Sequence, residues 1–444
     1  MSNIEEKMYK VYFITFGCKV NQYETDNLIA DFTEKGFLKT DDPEEADIII
    51  VNSCTVTASG DSKSLYSVRR FRKINPKAVI ILTGCLPQAS PEISEKIHEA
   101  DIITGTKNRK ELPKLVIDFM KQKERTVKIS SYGVSDEFEI CSHGRSAEKT
   151  RGFVKIQDGC NQFCSYCIIP YARGRCRSKP IDDIRREVET LVQDGCREIV
   201  LVGINLAFYG KEFDLSLIDA VEACSSIIGL ERIRLGSLEP EMISDKDLVR
   251  LSKIPQFCPQ FHLSLQSGCE QTLKRMNRHY TPDEYYSLVE KIRKLFPEAS
   301  FTTDIMVGFP QETEEEFSES MRFAEKIGFS KIHVFQYSPR NGTIAAKLPQ
   351  IPKKIKAERA ERMKALAAKF QEIHLKKQIG KTVPVLFERE NCTEFHHGYA
   401  PDYTLIKIPR KNPKKSLRNM IFCVKIEENK SDCCIGKSAE PIEL

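Results

Sequence analysis

Residues 153–175 read FVKIQDGCNQFCSYCIIPYARGR, a short strand-like run that leads straight into three closely spaced cysteines, Cys160, Cys164 and Cys167. One loop therefore offers three thiolates. An iron–sulfur cubane normally takes four, so a site with three keeps one iron free for another ligand. The strand Phe153–Gln157 is the first of six in residues 150–350. The others are expected at Glu198–Gly203, Arg232–Leu235, Phe261–Leu265, Ser300–Val307 and Lys331–Tyr337. Helix-like stretches separate them, near 181–194, 214–227, 244–253, 281–295 and 312–327. Strand and helix in strict alternation predict a full or partial parallel barrel with right-handed crossovers. Its active site belongs at the carboxyl ends of the strands, where the cysteine loop begins.

A second set of cysteines is spread through the first ninety residues. Val11–Phe16, Ile48–Val51 and Val79–Leu82 read as strands, and Asn21–Lys35 and Asp61–Lys73 as helices. Cys18, Cys54 and Cys85 each follow one of the three strands. In a parallel sheet these positions share one edge, the edge where ligands bind, so residues 36 and 31 apart in sequence become neighbours. A buried free thiol is the ordinary fate of a single cysteine. Three in register predict a shared metal, and at this point an iron–sulfur cluster and a zinc ion both remain open.

The chain has 444 residues, 41% of them hydrophobic, which suggests two or three domains with real cores. No apolar run approaches the roughly 18 to 20 residues of a membrane span, and MSNIEEKMYK at the start lacks a secretory apolar segment. Sixteen cysteines are then expected as thiolates in the reducing cytoplasm, in metal or catalytic roles. Charge is unevenly placed. Residues 351–444 carry 20 Lys and Arg against 12 Asp and Glu, a net of +8, against −3 for residues 1–350. A basic C-terminal part suggests polyanion binding, although a solvated helix face explains it as simply. After Pro352 a basic helix places Ile355, Met363, Leu366, Phe370 and Ile373 at helical spacing, a stripe expected to dock on the barrel. Residues 382–444 alternate in short runs, Val383–Phe387, Thr404–Ile408 and Asn419–Ile426, and predict a small β-barrel.

The Cys-x3-Cys-x2-Cys of Cys160, Cys164 and Cys167 after a first barrel strand resembles the radical S-adenosylmethionine superfamily. FGCKVNQYET at 16–25, VNSCTVT at 51–57 and LTGCLPQ at 82–88 narrow the resemblance to the methylthiotransferases, over nearly the whole chain. The resemblance implies an α/β protein in three parts: a methylthiotransferase N-terminal domain over 8–122, a radical SAM partial (β/α)6 barrel over 146–376, and a TRAM RNA-binding β-barrel over 377–444. It implies two [4Fe-4S] clusters. One sits on Cys160, Cys164 and Cys167 and chelates S-adenosylmethionine, which an electron splits into methionine and a 5′-deoxyadenosyl radical. The auxiliary one sits on Cys18, Cys54 and Cys85 and delivers or positions sulfur. A second S-adenosylmethionine supplies the methyl group, and an unactivated C–H bond becomes a thioether. The implied partners are tRNA at its anticodon loop, a low-potential electron donor and a sulfur source, with no membrane.

By the same resemblance, Tyr166, Gly203, Asn205, Ser237, Glu239, Asp304 and Gly308, with Gln266, are candidate cofactor or substrate contacts at later strand ends. Ser, Asp and Gly also favour such places for backbone reasons alone. Arg173, Arg175 and Arg177 could meet RNA phosphates or pair with acidic neighbours. Tyr399 and Tyr403, beside Lys407 and Arg410, could stack on RNA bases. Cys176 is an additional thiol, and Cys433 and Cys434 are expected in a polar tail without a role. Lys19–Val20 with Ser237-Leu238-Glu239-Pro240 resembles the branch acting on N6-threonylcarbamoyladenosine 37 of tRNA. The alternatives are N6-isopentenyladenosine 37 and a ribosomal-protein aspartate. Outside the family, a zinc-stabilised RNA-binding protein or a ferredoxin-like carrier could use the same cysteines, but neither accounts for two sites of three ligands.

Overall fold

The computed structural model describes residues 8–140, 150–390, 392–410, 412 and 414–441. It divides into two compact units. The first comprises the described residues of Met1–Ser146, Gln157–Lys179 and Ser338–Ala346, and the second those of Ala147–Ile156, Pro180–Tyr337 and Lys347–Leu444. The domain start expected at 146 lies outside the described residues.

The first unit is built on a six-stranded parallel sheet of β1 (Lys10–Thr15), β2 (Leu38–Lys39), β3 (Ile48–Ser53), β4 (Val79–Gly84), β5 (Ile102–Thr104) and β6 (Thr126–Lys128), in the order β2-β1-β3-β4-β5-β6. β3 and β4 are buried along their whole length, because both faces of the sheet carry helices. Ile48, Ile50 and Ile81 point to one face and pack with Leu28, Phe32 and Val116. Ile49, Val51, Ile80 and Leu82 point to the other and pack with Val68, Phe71 and Ile97. The three predicted strands are β1, β3 and β4. The others are two or three residues long and too short to leave a periodic signal.

In the second unit six parallel strands follow chain order: β7 (Arg151–Lys155), β8 (Glu198–Val202), β9 (Arg232–Leu235), β10 (Gln260–Leu263), β11 (Ser300–Val307) and β12 (Lys331–Gln336). β7 to β9 form one ladder and β10 to β12 another, with Ser237–Leu238 on the latter and an Ile233–Phe257 bridge joining the two. Ser244, Thr281 and Thr313 each cap a crossover helix in a capping box, which starts those helices where the alternation breaks. One strand face, with Ile199, Leu201, Ile233, Phe261, Leu263 and Ile305, packs on the helices. The other face carries two polar groups: Glu198 with Arg232 and Arg234, and His262 with Thr302 and Asp304. The first group also bonds carbonyls of the C-terminal barrel, which leaves the second as the one suited to a polar ligand.

The helix Lys353–Lys376 buries Ala360, Met363, Leu366 and Phe370. Ile355 and Ile373, expected in the same stripe, stay exposed at its two ends. A closed five-stranded barrel ends the unit, in the spatial order Thr382–Phe387, Phe395–Tyr399, Leu405–Pro409, Cys433–Pro441, Ile421–Lys430. No helix among the described residues is long and apolar enough to cross a membrane.

Candidate functional site

Cys18, Cys54 and Cys85 stand at the carboxyl ends of β1, β3 and β4, on the sheet edge predicted for them. Cys18 caps the helix Lys19–Glu34, and Cys85 opens the short helix Cys85–Ala89. The loops that carry them are tied by buried side chains. Asn21 Nδ2 donates to the carbonyls of Phe16 (2.8 Å) and Ser53 (3.0 Å), while its Oδ1 lies 4.0 Å from Cys18 Sγ and 3.9 Å from Cys85 Sγ. Ser53 Oγ donates to Thr83 O (2.6 Å) and accepts from the Leu86 amide (3.2 Å). Burial pushes the Cys85 thiol up to about 11, and the Arg173 guanidinium beside it acts in the opposite sense. Cys54 is also raised by burial.

Cys160, Cys164 and Cys167 lie half-buried in the same unit, on a loop closed by Cys160 N to Gly174 O (3.0 Å) and Cys167 N to Cys164 O (2.9 Å). The Gln162 amide points at Cys160 Sγ from 3.5 Å, a donor suited to a thiolate. Among the described residues, the only three His, Cys, Asp or Glu ligand atoms within 4.8 Å of one another belong to His262, Asp304 and His333. Three thiols on one sheet edge and three on one loop, with the Gln162 amide and the Asn21 side chain beside them, are the soft donor set that an iron–sulfur cluster takes.

In the second unit Gly203, Asn205, Ser237, Glu239 and Gly308 fall at or just beyond strand ends, whereas Asp304, expected at one, lies inside β11. Gly203 and Asn205 follow β8, with Asn205 buried. Glu239 is ion-paired with Arg278; burial raises its carboxyl, and Arg278 only partly offsets this. Asp304 faces His262 Nε2 at 3.4 Å, and His262 Nδ1 bonds Thr302 Oγ1 at 2.9 Å. Gln266 holds a left-handed backbone, φ 62°, that a non-glycine residue adopts rarely, with its amide on Asp304 O at 2.9 Å. Gly308, φ 68°, has a packing reason of its own, since a Cβ there would lie 2.5 Å from the Lys356 stem. Ser237 is exposed and Tyr166 half-buried.

Residues 154–324 match the model of the radical SAM superfamily, and residues 10–105 that described as uncharacterized protein family UPF0004. The chain is 38% identical to a threonylcarbamoyladenosine tRNA methylthiotransferase of Aquifex aeolicus, over 86% of this chain and 93% of that one. It is 35% identical to a tRNA-2-methylthio-N(6)-dimethylallyladenosine synthase of Caldicellulosiruptor saccharolyticus, over 87% and 83%. The chain belongs to the radical S-adenosylmethionine tRNA methylthiotransferases. Among solved structures, the radical S-adenosylmethionine methyltransferase TsrM of Kitasatospora setae is similar in fold, with a TM-score of 0.55 at 14% identity over 75% of this chain and 77% of that one. The cofactors of this methylthiotransferase are S-adenosylmethionine and [4Fe-4S] clusters.

Several expectations for RNA contact are corrected by the methylthiotransferase structure. Arg173 is wholly buried, with its guanidinium on Glu24, Asn21 and Cys85, so it cannot reach a phosphate. Arg177 is buried as well: it donates to Arg173 O and Arg175 O and lies over the Tyr132 ring at 4.7 Å. Only Arg175 of the three is exposed. Tyr399 and Tyr403 stack on each other at 4.7 Å, and the Arg151 guanidinium lies 4.9 and 5.2 Å from their rings. Arg234 takes a Tyr403 face at 4.7 Å. Their faces are used inside the protein, which removes them as base-stacking platforms. Lys407 remains half-exposed. Cys433 and Cys434 are not in a tail: they are buried in the barrel strand Cys433–Pro441. Cys176 is half-buried, 3.7 Å from Gly159 O. Sequence reasoning gave no role to Asn21 and Glu24, although both lie in FGCKVNQYET, nor to Arg109, which lies outside every motif; folding brings the three together. It also missed the exposed edge-to-face pair Phe163 and Tyr171, 6.1 Å apart, one between the cysteines and the other in the short helix that follows them.

Proposed function

We propose that this enzyme installs a methylthio group at C2 of N6-threonylcarbamoyladenosine 37 in the tRNA anticodon loop. The observation that carries this reading is Lys19–Val20 directly after Cys18, in a chain whose similar relatives include threonylcarbamoyladenosine enzymes at 38, 34 and 37% identity. A second reading, N6-isopentenyladenosine 37, is favoured by relatives named for dimethylallyladenosine at 35 and 34%. Identity alone does not choose between them.

In this reading Cys160, Cys164 and Cys167 hold the cluster that binds S-adenosylmethionine, and Cys18, Cys54 and Cys85 hold the auxiliary cluster. Bound there, cluster and S-adenosylmethionine supply a 5′-deoxyadenosyl radical, which can open a C–H bond that has no acidic proton for a base to remove. The chain's own residues position the reactants. Tyr166, Gly203, Asn205, Ser237, Glu239, Asp304 and Gly308 are assigned to S-adenosylmethionine or the target nucleoside. Arg175 and Lys407 are assigned to tRNA phosphate. A low-potential electron donor and a sulfur source complete the reaction in the cytoplasm.

The test is nucleoside mass spectrometry of bulk tRNA from a strain lacking the gene, with and without complementation. The methylthio form of threonylcarbamoyladenosine should vanish and return. Loss of the methylthio-isopentenyl nucleoside alone would move the assignment to the second reading. Complementation with Cys160→Ala should fail, with no S-adenosylmethionine cleavage by the purified variant, whereas Cys18→Ala should fail while still cleaving it.

A further inference from the structure

Arg173 has a place that neither a structural spacer nor a phosphate ligand requires. It lies six residues beyond Cys167, on the loop of one cysteine set, yet its Nε donates to the sulfur of Cys85 in the other at 3.3 Å. Its Nη2 donates to Asn21 Oδ1 at 2.6 Å and Glu24 Oε2 at 2.9 Å, and Nη1 pairs with the other Glu24 oxygen. Asn21 Oδ1 is the same atom that lies beside Cys18 and Cys85. Burying a guanidinium costs several kcal/mol unless charge and hydrogen bonds compensate it. Here the carboxylates are shared: Glu24 serves both Arg173 and Arg109, and Asp158, 3.7 Å from Arg173, also meets Arg177. Of the three guanidiniums, Arg173 is the one that donates to a thiol of the cysteine set.

A cubane on three thiolates carries one net negative charge when oxidised and a second when reduced. A guanidinium in contact with one of the thiolates attracts both forms, and the reduced form more strongly. Charge and hydrogen bonds to cluster sulfur are the means by which a protein raises such a potential. We propose that Arg173 is a positioning residue that sets the reduction potential of the auxiliary cluster and ties its frame to the loop of the other cluster. The proposal rests on the assignment of a cluster to Cys18, Cys54 and Cys85. Glu24 is the opposing element, and it limits how far the arginine acts.

The experiment uses the full chain, reconstituted anaerobically, with iron counted and each cluster titrated by electron paramagnetic resonance. The auxiliary signal is the one that S-adenosylmethionine does not perturb. Arg173→Gln should lower its potential, roughly tenfold in the reduced-to-oxidised ratio at fixed ambient potential, or about 59 mV for one electron. Glu24→Gln should shift it the other way, Arg173→Lys should retain most of the wild-type value, and Arg175→Gln should leave it unmoved. A merely structural role would give shifts of one sign or none, and either result at full iron content overturns the proposal. If Arg173→Gln does not load, Glu24→Gln and Arg173→Lys decide by the same criteria. Wild-type protein with about four irons instead of about eight would sink the cluster assignment itself, a result distinct from eight irons with an unmoved potential.

Discussion

Glycine precedes cysteine in both sets, and the structure gives a reason at Gly17 and Gly159. Their φ values are +103° and +74°, in the left-handed region that a side chain disfavours. At Gly17 a Cβ would lie 2.7 Å from Cys54 Sγ, inside the space the thiols need. At Gly159 it would lie 1.9 Å from the Arg175 carbonyl, which is backbone and cannot swing away. Gly159→Ala should therefore displace the loop that begins at Cys160, cutting release of 5′-deoxyadenosine more than tenfold and lowering bound iron. Gly195→Ala is the control: φ is +85° but nothing lies within 4 Å of the new Cβ, so it should cost only about 1 kcal/mol of stability and leave turnover within about twofold. The cysteines were legible in the sequence because each follows an apolar run that could only be a strand. Asn21, Glu24 and Arg109 were not, because a buried polar network is chosen by which loops meet. Arg173 misled for the same reason: a basic cluster looks alike whether its partner is a phosphate outside or a carboxylate inside.

At the scale of elements, alternation decided the reading wherever strands were long, and all six central strands fall at the predicted places. It failed at Cys433–Pro441, which contains one large apolar residue, Ile435, among small and polar ones. That strand is held by closure of the barrel, parallel to Leu405–Pro409 and antiparallel to Ile421–Lys430. The barrel is in turn docked on the starts of β7, β8 and β9 by buried charge. Arg234 donates to Glu198 at 2.7 Å and to the Pro401 and Ala400 carbonyls, and Arg232 to the Tyr399 and Pro384 carbonyls. Burial opposes ionisation of Glu198, but Arg234, Arg232 and Arg151 hold its carboxyl below the usual range. Glu198→Gln strips the one carboxylate from three guanidiniums and should cost about 3–5 kcal/mol, read by urea denaturation. Glu427→Gln, which breaks an exposed pair with Lys437, should cost no more than about 1 kcal/mol. Equal losses in the two variants would show that the docking is carried by the tyrosines and carbonyls instead.

For the whole molecule, the charge asymmetry has to be divided between internal and external partners before it says anything about tRNA. Arg173, Arg177, Arg232 and Arg234 are buried and meet carboxylates or carbonyls of the protein itself, so they add nothing to an outer field. The excess of +8 in residues 351–444 includes Lys407, which stays partly accessible, and Arg175, eight residues beyond Cys167, is accessible. Each phosphate neutralised on single-stranded RNA contributes about 0.7 to the slope of log affinity against log salt. If Lys407 and Arg175 each meet one phosphate, Lys407→Gln and Arg175→Gln should each lower that slope by about this amount in filter-binding measurements from about 50 to 200 mM KCl. Arg173→Gln should leave the slope unchanged, because a side chain with no exposed surface releases no counterion. Equal slopes in all three variants would mean that the accessible cations are a solvated face and that tRNA is held by shape and stacking, with Phe163 and Tyr171 the next residues to replace.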